Sequence, residues 1–153
     1  MLRRVGGQRK KVSAVAALCV SPDRRELRLY FQLLVDANFN SGAVLGFLRQ
    51  LTRHFRAPLL LLWDRSKTHR GLKTEVFLDV MEWWQCYFPP YAPELNPVEY
   101  LWRYLKTKPL ANLACPDVAA LAAAGRRHAR SLQHKPGLLR SFIRHSPLPL
   151  RPC

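Results

Sequence analysis

Five consecutive apolar residues, Leu59 to Trp63, lie between Pro58 and Asp64, and this segment constrains the fold more than any other. A run that is apolar at every position is typical of a strand whose two faces are both covered by helices. Leucine is a weak strand former, so the prediction depends on the short length and on the flanking breakers. We therefore expect an interior strand of an α/β sheet, with Asp64 directly after its carboxyl end.

Residues 12 to 35 have the pattern of two strands joined by a turn. The segment Val12 to Val20 is apolar, and Ser21, Pro22 and Asp23 have the chemistry of a turn. In the second strand polar and apolar positions alternate with a period of two, which predicts one apolar face. The apolar positions of that strand are Leu27, Leu29, Phe31, Leu33 and Val35. The two segments predict an antiparallel hairpin.

The segments between and after the later strands have the periodicity of helices. One helix is predicted from a cap at Ser41, and a second should bury one apolar stripe. A short apolar strand around Cys86 precedes a helix that starts at Pro97. The stripe of the second helix comprises Leu72, Val76, Phe77, Val80, Met81 and Trp84. Two more helices are expected, from Pro116 to about Leu132 with an interruption or end near Gly125, and from Gly137 to His145.

A hairpin followed by strand–helix–strand units predicts an α/β fold with a mixed sheet flanked by helices. Such sheets bind ligands at the carboxyl ends of their parallel strands. Asp64 is predicted to lie at this edge because it directly follows the interior strand.

The formal net charge of +15 on 153 residues indicates a polyanionic partner such as nucleic acid. No acidic residue precedes Asp23 and none follows Asp117, whereas basic residues occur in both terminal segments. A high arginine content that reflects GC-rich coding alone is the alternative explanation. No apolar run reaches the roughly 20 residues that span a bilayer, so a cytoplasmic protein is expected. The scattered cysteines are expected to be reduced, with Cys19 and Cys86 buried.

Two carboxylates are candidates for chemistry, and each has a structural alternative. Asp64 could cap the turn or helix that follows its strand. Glu99 could complete a capping box with Asn96 and Pro97, or pair with Arg103 one helical turn later. Thirty-four residues separate Asp64 from Glu99, which is enough for one helix, one strand and a turn. That path could bring both carboxylates to one sheet edge, as two-metal phosphodiester cleavage requires.

The segment from Pro89 to Trp102, with the sequence PPYAPELNPVEYLW, closely resembles the third-carboxylate motif of DDE transposases. Within that superfamily it looks most like the bacterial insertion-sequence branch related to mariner elements, which shares the 34-residue spacing. The resemblance covers roughly residues 9 to 147, and the Pro-Glu-Leu-Asn-Pro-x-Glu element is its most specific part.

The resemblance implies an RNase H-like fold that holds a DDE triad and cuts and joins double-stranded DNA. It makes Asp64 the second acid and Glu99 the third, both ligands of Mg²⁺ or Mn²⁺, with two ions in the complete enzyme. His69 matches a histidine that is common shortly after the second Asp, although an exposed histidine at a helix start is the alternative. Tyr91, Asn96 and Trp102 would set the turn, cap the helix and pack it.

Two departures from the family pattern change what is expected of this chain. Arg65 stands where the family usually has Asn after the second Asp. The first Asp should lie on a strand before the hairpin, but residues 1–11 contain no acid and have the composition of a basic loop. Asp23 and Asp36 are the nearest acids, and neither is expected to replace it. We therefore expect a truncated catalytic domain over residues 12–146, which lacks the first strand, and a flexible tail over residues 147–153.

The leading hypothesis is accordingly a transposase catalytic-domain fragment, with DNA nicking and strand transfer as its chemistry and little activity on its own. The alternative is a non-catalytic basic DNA-binding protein or an inhibitor that pairs with the full-length transposase. A third hypothesis is an unrelated RNase H-like nuclease. Expected partners are transposon and target DNA and a further copy or the full-length transposase, at the bacterial nucleoid and not at a membrane.

Overall fold

The computed structural model describes residues 11–112 and 114–149. The expected basic loop, apart from Lys11, and the last four residues of the expected tail therefore lie outside the described residues. The elements, in chain order, are β1 (Val12–Val20), β2 (Leu27–Val35), α1 (Ser41–Leu51), β3 (Leu60–Trp63), α2 (Leu72–Val80), β4 (Trp84–Tyr87), a 3₁₀ turn (Pro93–Leu95), α3 (Pro97–Thr107), α4 (Val118–Gln133) and α5 (Pro136–His145).

The predicted antiparallel hairpin is present, and β1 and β2 pair along their full nine-residue lengths. The register runs from Val12 opposite Val35 to Val20 opposite Leu27. Arg24 closes the turn in the left-handed region, with φ of 60°, and its backbone N–H donates to the Ser21 carbonyl at 2.8 Å.

The hairpin is the middle layer of the molecule, because each of its two faces packs against a different hydrophobic core. One face, which includes Leu27 and Leu29, packs with α3, α4 and α5. The opposite face, which includes Val15 and Tyr30, packs on a second cluster formed by α1, α2 and the inner side of β3. The alternation of side chains along each strand therefore determines which helices cover which face.

The strands β3 and β4 are parallel, and α2 connects them. Leu60 lies opposite Trp84, and Trp63 lies opposite Tyr87. The described strands thus form two sheets of two strands each. Within residues 11–112 and 114–149, no strand pairs with the second edge of β1 or of β3.

Burial on both faces of β3 was the wrong expectation. Leu61 and Trp63 pack inward, but Leu60 is 61% exposed and its neighbour across the pair, Trp84, is 75% exposed. An apolar run does not specify how many of its faces the rest of the chain covers.

The predicted buried stripe of α2 was only partly right. Phe77 and Met81 pack against the core that α1 and α2 share, as expected. The fully buried residues of the helix are Thr74 and Leu78, however, whereas Leu72, Val76 and Val80 are exposed. These three residues repeat every four positions, so their spacing indicated a helix correctly but not the direction of its packed face.

The helix α4 continues through Gly125, where an interruption or end was expected. A Cβ atom at Gly125 would lie 3.2 Å from Leu33 Cδ1, so the glycine allows α4 to approach β2 closely. At α1 the cap is Asn40, whose side chain accepts from the Ala43 backbone N–H at 2.9 Å, and Ser41 is the first helical residue.

None of the helices in the described part of the chain is long and apolar enough to cross a membrane.

We predict that Gly125→Leu lowers the free energy of unfolding by about 1–3 kcal/mol, because the new side chain must push α4 away from β2. The matched control is Gly46→Leu in α1, where a Cβ would meet no heavy atom within 4 Å. This control should be neutral or stabilising, since leucine has the higher helix propensity. Urea titration of both variants measures the difference, and an equal loss in both would contradict the close-approach explanation.

Candidate active site

Asp64 directly follows β3 and is held in a tight turn. Its Oδ1 accepts the Ser66 backbone N–H at 2.9 Å, and its side chain remains 61% exposed. One oxygen of Asp64 therefore caps the following turn, which is the structural role considered as the alternative for this residue. The second oxygen, Oδ2, accepts no hydrogen bond from the residues that the structure describes.

His69 reaches back to Asp64 and contacts it at two points. The ring Nδ1 lies 2.8 Å from Asp64 Oδ1 and 3.2 Å from the Asp64 carbonyl oxygen. The ring also stacks on Trp63, with centroids 4.6 Å apart and planes inclined by 5°. His69 is 20% exposed at its side chain, so the alternative of an exposed histidine at a helix start does not describe it.

Glu99 lies in the first turn of α3, as its sequence context predicts. Asn96 caps this helix by accepting the Val98 N–H at 3.1 Å, and Pro97 occupies the first helical position. The Asn96 N–H donates to the Pro93 carbonyl at 3.0 Å and not to Glu99, so no reciprocal capping box forms. The ion pairs of the described residues do not include Glu99 with Arg103. The carboxylate of Glu99 is therefore left without a structural partner in this part of the chain.

The backbone at the ends of β3 and β4 brings these two acids to one place. The Phe88 N–H donates to the Trp63 carbonyl at 2.8 Å, which continues the parallel pairing past the end of both strands. Asp64 follows the first strand and the loop to α3 follows the second, so both lie at the carboxyl edge of this sheet. Asp64 and Glu99 line the same cavity of about 320 Å³. Its other lining residues are Arg65, Phe88, Pro89, Pro90, Tyr91, Ala92, Pro93 and Asn96.

A third acid does not join them within the described residues, in which no group of three or more His, Cys, Asp or Glu side chains could hold a metal ion. Asp23 lies in the β1–β2 turn, where hydrogen bonds from the Ser21 hydroxyl and the Arg25 backbone N–H lower the pKa of its carboxyl. Asp36 ends β2, and its Oδ1 accepts the Lys11 backbone N–H at 3.1 Å. Neither lines the cavity of Asp64 and Glu99.

The three expected scaffold residues behave differently. Asn96 caps α3, and Trp102 packs against the core of α3, α4 and α5. Tyr91, by contrast, is fully exposed and has a φ of 59°, which only a small fraction of non-glycine residues adopt. It lies in the turn, as expected, and lines the cavity without packing against the core, because a tyrosine after two prolines indicates a turn but not the direction of its ring.

Thiol chemistry is not favoured at Cys19, which is half-buried. Burial raises the pKa of the Cys19 thiol to about 12, and the nearby Arg28 only partly opposes this effect. Cys19 therefore stays protonated and unreactive near neutral pH. Cys86 is exposed, so the expectation that it is buried was wrong.

Basic residues adjoin the acids. Arg65 lines the cavity itself, in the position where the resemblance leads one to expect Asn. Glu99 also borders a second cavity of about 480 Å³, as open to solvent as the first, which is lined by Arg103 and Lys106 on the next turns of α3. The carboxylates therefore lie beside groups that could contact phosphates.

Comparison with known proteins identifies the fold. The catalytic domain of Mos1 mariner transposase superposes with a TM-score of 0.58 at 14% identity, which covers 88% of this chain and 74% of that one. The Mos1 transposase catalytic domain solved with raltegravir and Mg gives a TM-score of 0.60 at 12% identity, with 88% and 78% covered. At these identities the likeness shows an RNase H-like transposase fold and no more. No curated protein matches the sequence.

The family follows from the sequence itself. A family model described as DDE superfamily endonuclease matches residues 3–122, which is most of the chain and includes both Asp64 and Glu99. The chain belongs to the DDE superfamily of endonucleases and has the fold of a transposase catalytic domain.

Proposed function

We propose that this chain carries part of a metal-dependent centre for DNA strand nicking and strand transfer, in which Asp64 and Glu99 are two of the three carboxylates. One observation carries the proposal: the two acids of the family motif line a single cavity at the carboxyl edge of β3 and β4. The exposed carboxylate of Glu99 has no hydrogen-bond or ion-pair partner in the described chain, so it is available to bind a ligand.

The donor set fits a hard divalent cation. Mg²⁺ is commonly held by one or two carboxylates together with water and substrate phosphate, so two acids form a partial site. The solved Mos1 catalytic domains include complexes with Mg and with Mn. Divalent ions held by these carboxylates would activate the attacking oxygen and stabilise the leaving oxygen of an in-line displacement.

The residues around the acids would orient the substrate. The backbone N–H groups at the start of α3 and its helix dipole favour negative charge beside Glu99, from the carboxylate itself or from a phosphate. Arg65 could neutralise a phosphate at the cavity, and Arg103 and Lys106 could contact the backbone farther along α3. The net charge of +15 would attract DNA without sequence preference, as expected of a nucleoid-associated protein.

A second candidate function is favoured by one observation, the absence of a three-acid group from the described residues. In that function the chain binds DNA without cutting it, or pairs with a full-length transposase or a further copy that supplies a complete triad. Both candidates share the DNA-binding surface and differ in the role of the two carboxylates.

We predict that Mg²⁺ or Mn²⁺ raises the free energy of unfolding by about 1.4 kcal/mol at ten times its Kd, because the ion binds only the folded chain. Asp64→Asn or Glu99→Gln should remove this gain, because each change takes away a negatively charged oxygen ligand. The matched controls, Asp79→Asn and Glu75→Gln, change exposed acids on α2 outside the cavity. Thermal unfolding with and without metal measures the gain, and equal gains in all variants would contradict the site.

We predict that the chain alone shows little or no Mg²⁺-dependent nicking of supercoiled DNA, because a two-carboxylate centre holds its ions incompletely. Any residual nicking should disappear in Asp64→Ala and in Glu99→Ala. Agarose electrophoresis of the relaxed product measures it. Robust cleavage that survives both substitutions would exclude these residues as the catalytic acids.

We predict that charge reversal on α3 reduces the salt dependence of duplex binding. In Arg103→Glu/Lys106→Glu the slope of log K against log salt should fall by about 0.9 for each DNA phosphate that the protein no longer neutralises. The control Arg49→Glu/Arg53→Glu makes the same change of net charge at the end of α1, on the opposite side of the hairpin layer. Fluorescence anisotropy across a salt series measures both, and an equal fall in the control would show that only net charge matters.

A further inference from the structure

His69 contacts Asp64 in a way that defines its tautomer. The ring Nδ1 lies within hydrogen-bond distance of two oxygens, Oδ1 and the carbonyl oxygen of Asp64. A carboxylate oxygen and a carbonyl oxygen can only accept, so Nδ1 must carry the hydrogen and donate it. A neutral imidazole can make this contact, and no positive charge on His69 is required.

The stacking on Trp63 holds the ring of His69 in the plane that this contact needs. The two rings are almost parallel, at 5°, with centroids 4.6 Å apart. Trp63 is the last residue of β3 and packs into the core of α1 and α2. The stacking therefore fixes the position of the His69 ring relative to the sheet.

The turn between Asp64 and His69 does not need the imidazole. It is closed by the backbone N–H of His69, which donates to the Ser66 carbonyl at 3.0 Å. The hydroxyl groups of Ser66 and Thr68 add a hydrogen bond of 2.9 Å. A purely structural role therefore leaves the two contacts of the ring nitrogen with Asp64 unexplained.

The consequence for Asp64 is an asymmetric carboxylate. Oδ1 receives two donors, the Ser66 N–H at 2.9 Å and the His69 Nδ1 at 2.8 Å, which occupy its two lone pairs. Oδ2 receives none from the described residues. A cation that approaches this carboxylate would therefore find one available oxygen.

We propose that His69 is a positioning residue that, together with Trp63, orients Asp64 to bind a divalent cation through Oδ2 alone. The inference rests on the proposed function, because it takes Asp64 as a ligand. Outer hydrogen bonds of this kind commonly change metal affinity by about 10- to 100-fold.

Two substitutions separate the donor of His69 from its aromatic surface. His69→Asn retains an N–H close to the position of Nδ1, and His69→Phe retains the stacking surface but cannot donate. We expect His69→Phe to weaken Mn²⁺ binding by at least about 10-fold, whereas His69→Asn recovers most of the affinity. Mn²⁺ binding to the full chain is measured by water-proton relaxation, with thermal unfolding of each variant to establish that it is folded.

Variants of the two acids distinguish failure of this inference from failure of the proposed function. If Asp64→Asn and Glu99→Gln lose Mn²⁺ affinity but His69→Phe binds as the unmodified chain does, the positioning role is overturned and the metal centre stands. If the acid variants bind Mn²⁺ as the unmodified chain does, the metal centre is overturned and the inference with it.

A metal-free measurement tests the contact directly. Long-range ¹H–¹⁵N correlation spectra of the full chain, at a pH where imidazole is neutral, should show His69 as the Nδ1–H tautomer. The Asp64→Ala variant should lose part of this preference, because one of the two acceptors is removed. A His69 ring that is mainly in the Nε2–H form in the unmodified chain would overturn the proposal, whatever the Mn²⁺ affinities.

Discussion

The parallel pairing of β3 with β4 is the constraint on which the candidate site depends. The bond from the Phe88 N–H to the Trp63 carbonyl, at 2.8 Å, fixes the two strand ends side by side. One end continues into Asp64 and the other into the loop that reaches Glu99. The short lengths of β3 and β4, four residues each, leave few other bonds to hold this arrangement. A shift of register by one residue would turn Trp63 outward and remove the surface on which His69 stacks.

Local patterns in the sequence predicted much of this arrangement. The hairpin followed from alternation between Leu27 and Val35, and the start of α3 followed from Asn96 and Pro97, because the interactions that decide them lie within a few residues. The convergence of Asp64 and Glu99 on one cavity was predicted from topology, since strand ends that are parallel share an edge. Their roles as metal ligands remain a prediction, because geometry alone does not test chemistry.

Patterns could not predict which apolar faces are covered. Leu72, Val76 and Val80 have the spacing of a packed stripe but are exposed, and Leu60 is exposed on a strand predicted to be interior. Periodicity indicates whether a segment is a helix or a strand. Whether an apolar face is buried depends on which other elements pack against that face. The contact of His69 with Asp64 was missed for a similar reason. The family resemblance singled out His69, but the sequence does not show that a turn and a tryptophan place its ring against Asp64.

The site lies on the less protected part of the molecule, and this has a thermodynamic consequence. The nine-residue hairpin has helices on both faces, whereas β3 and β4 expose Leu60 and Trp84 on one face. Segments with fewer buried contacts open at lower free energy than the core of the same protein. A ligand that joins Asp64 to Glu99 would bridge the end of β3 and the start of α3, which belong to different cores. Binding there should therefore couple the α1–α2 layer to the α3–α5 layer, so that cation, DNA and folded structure stabilise one another.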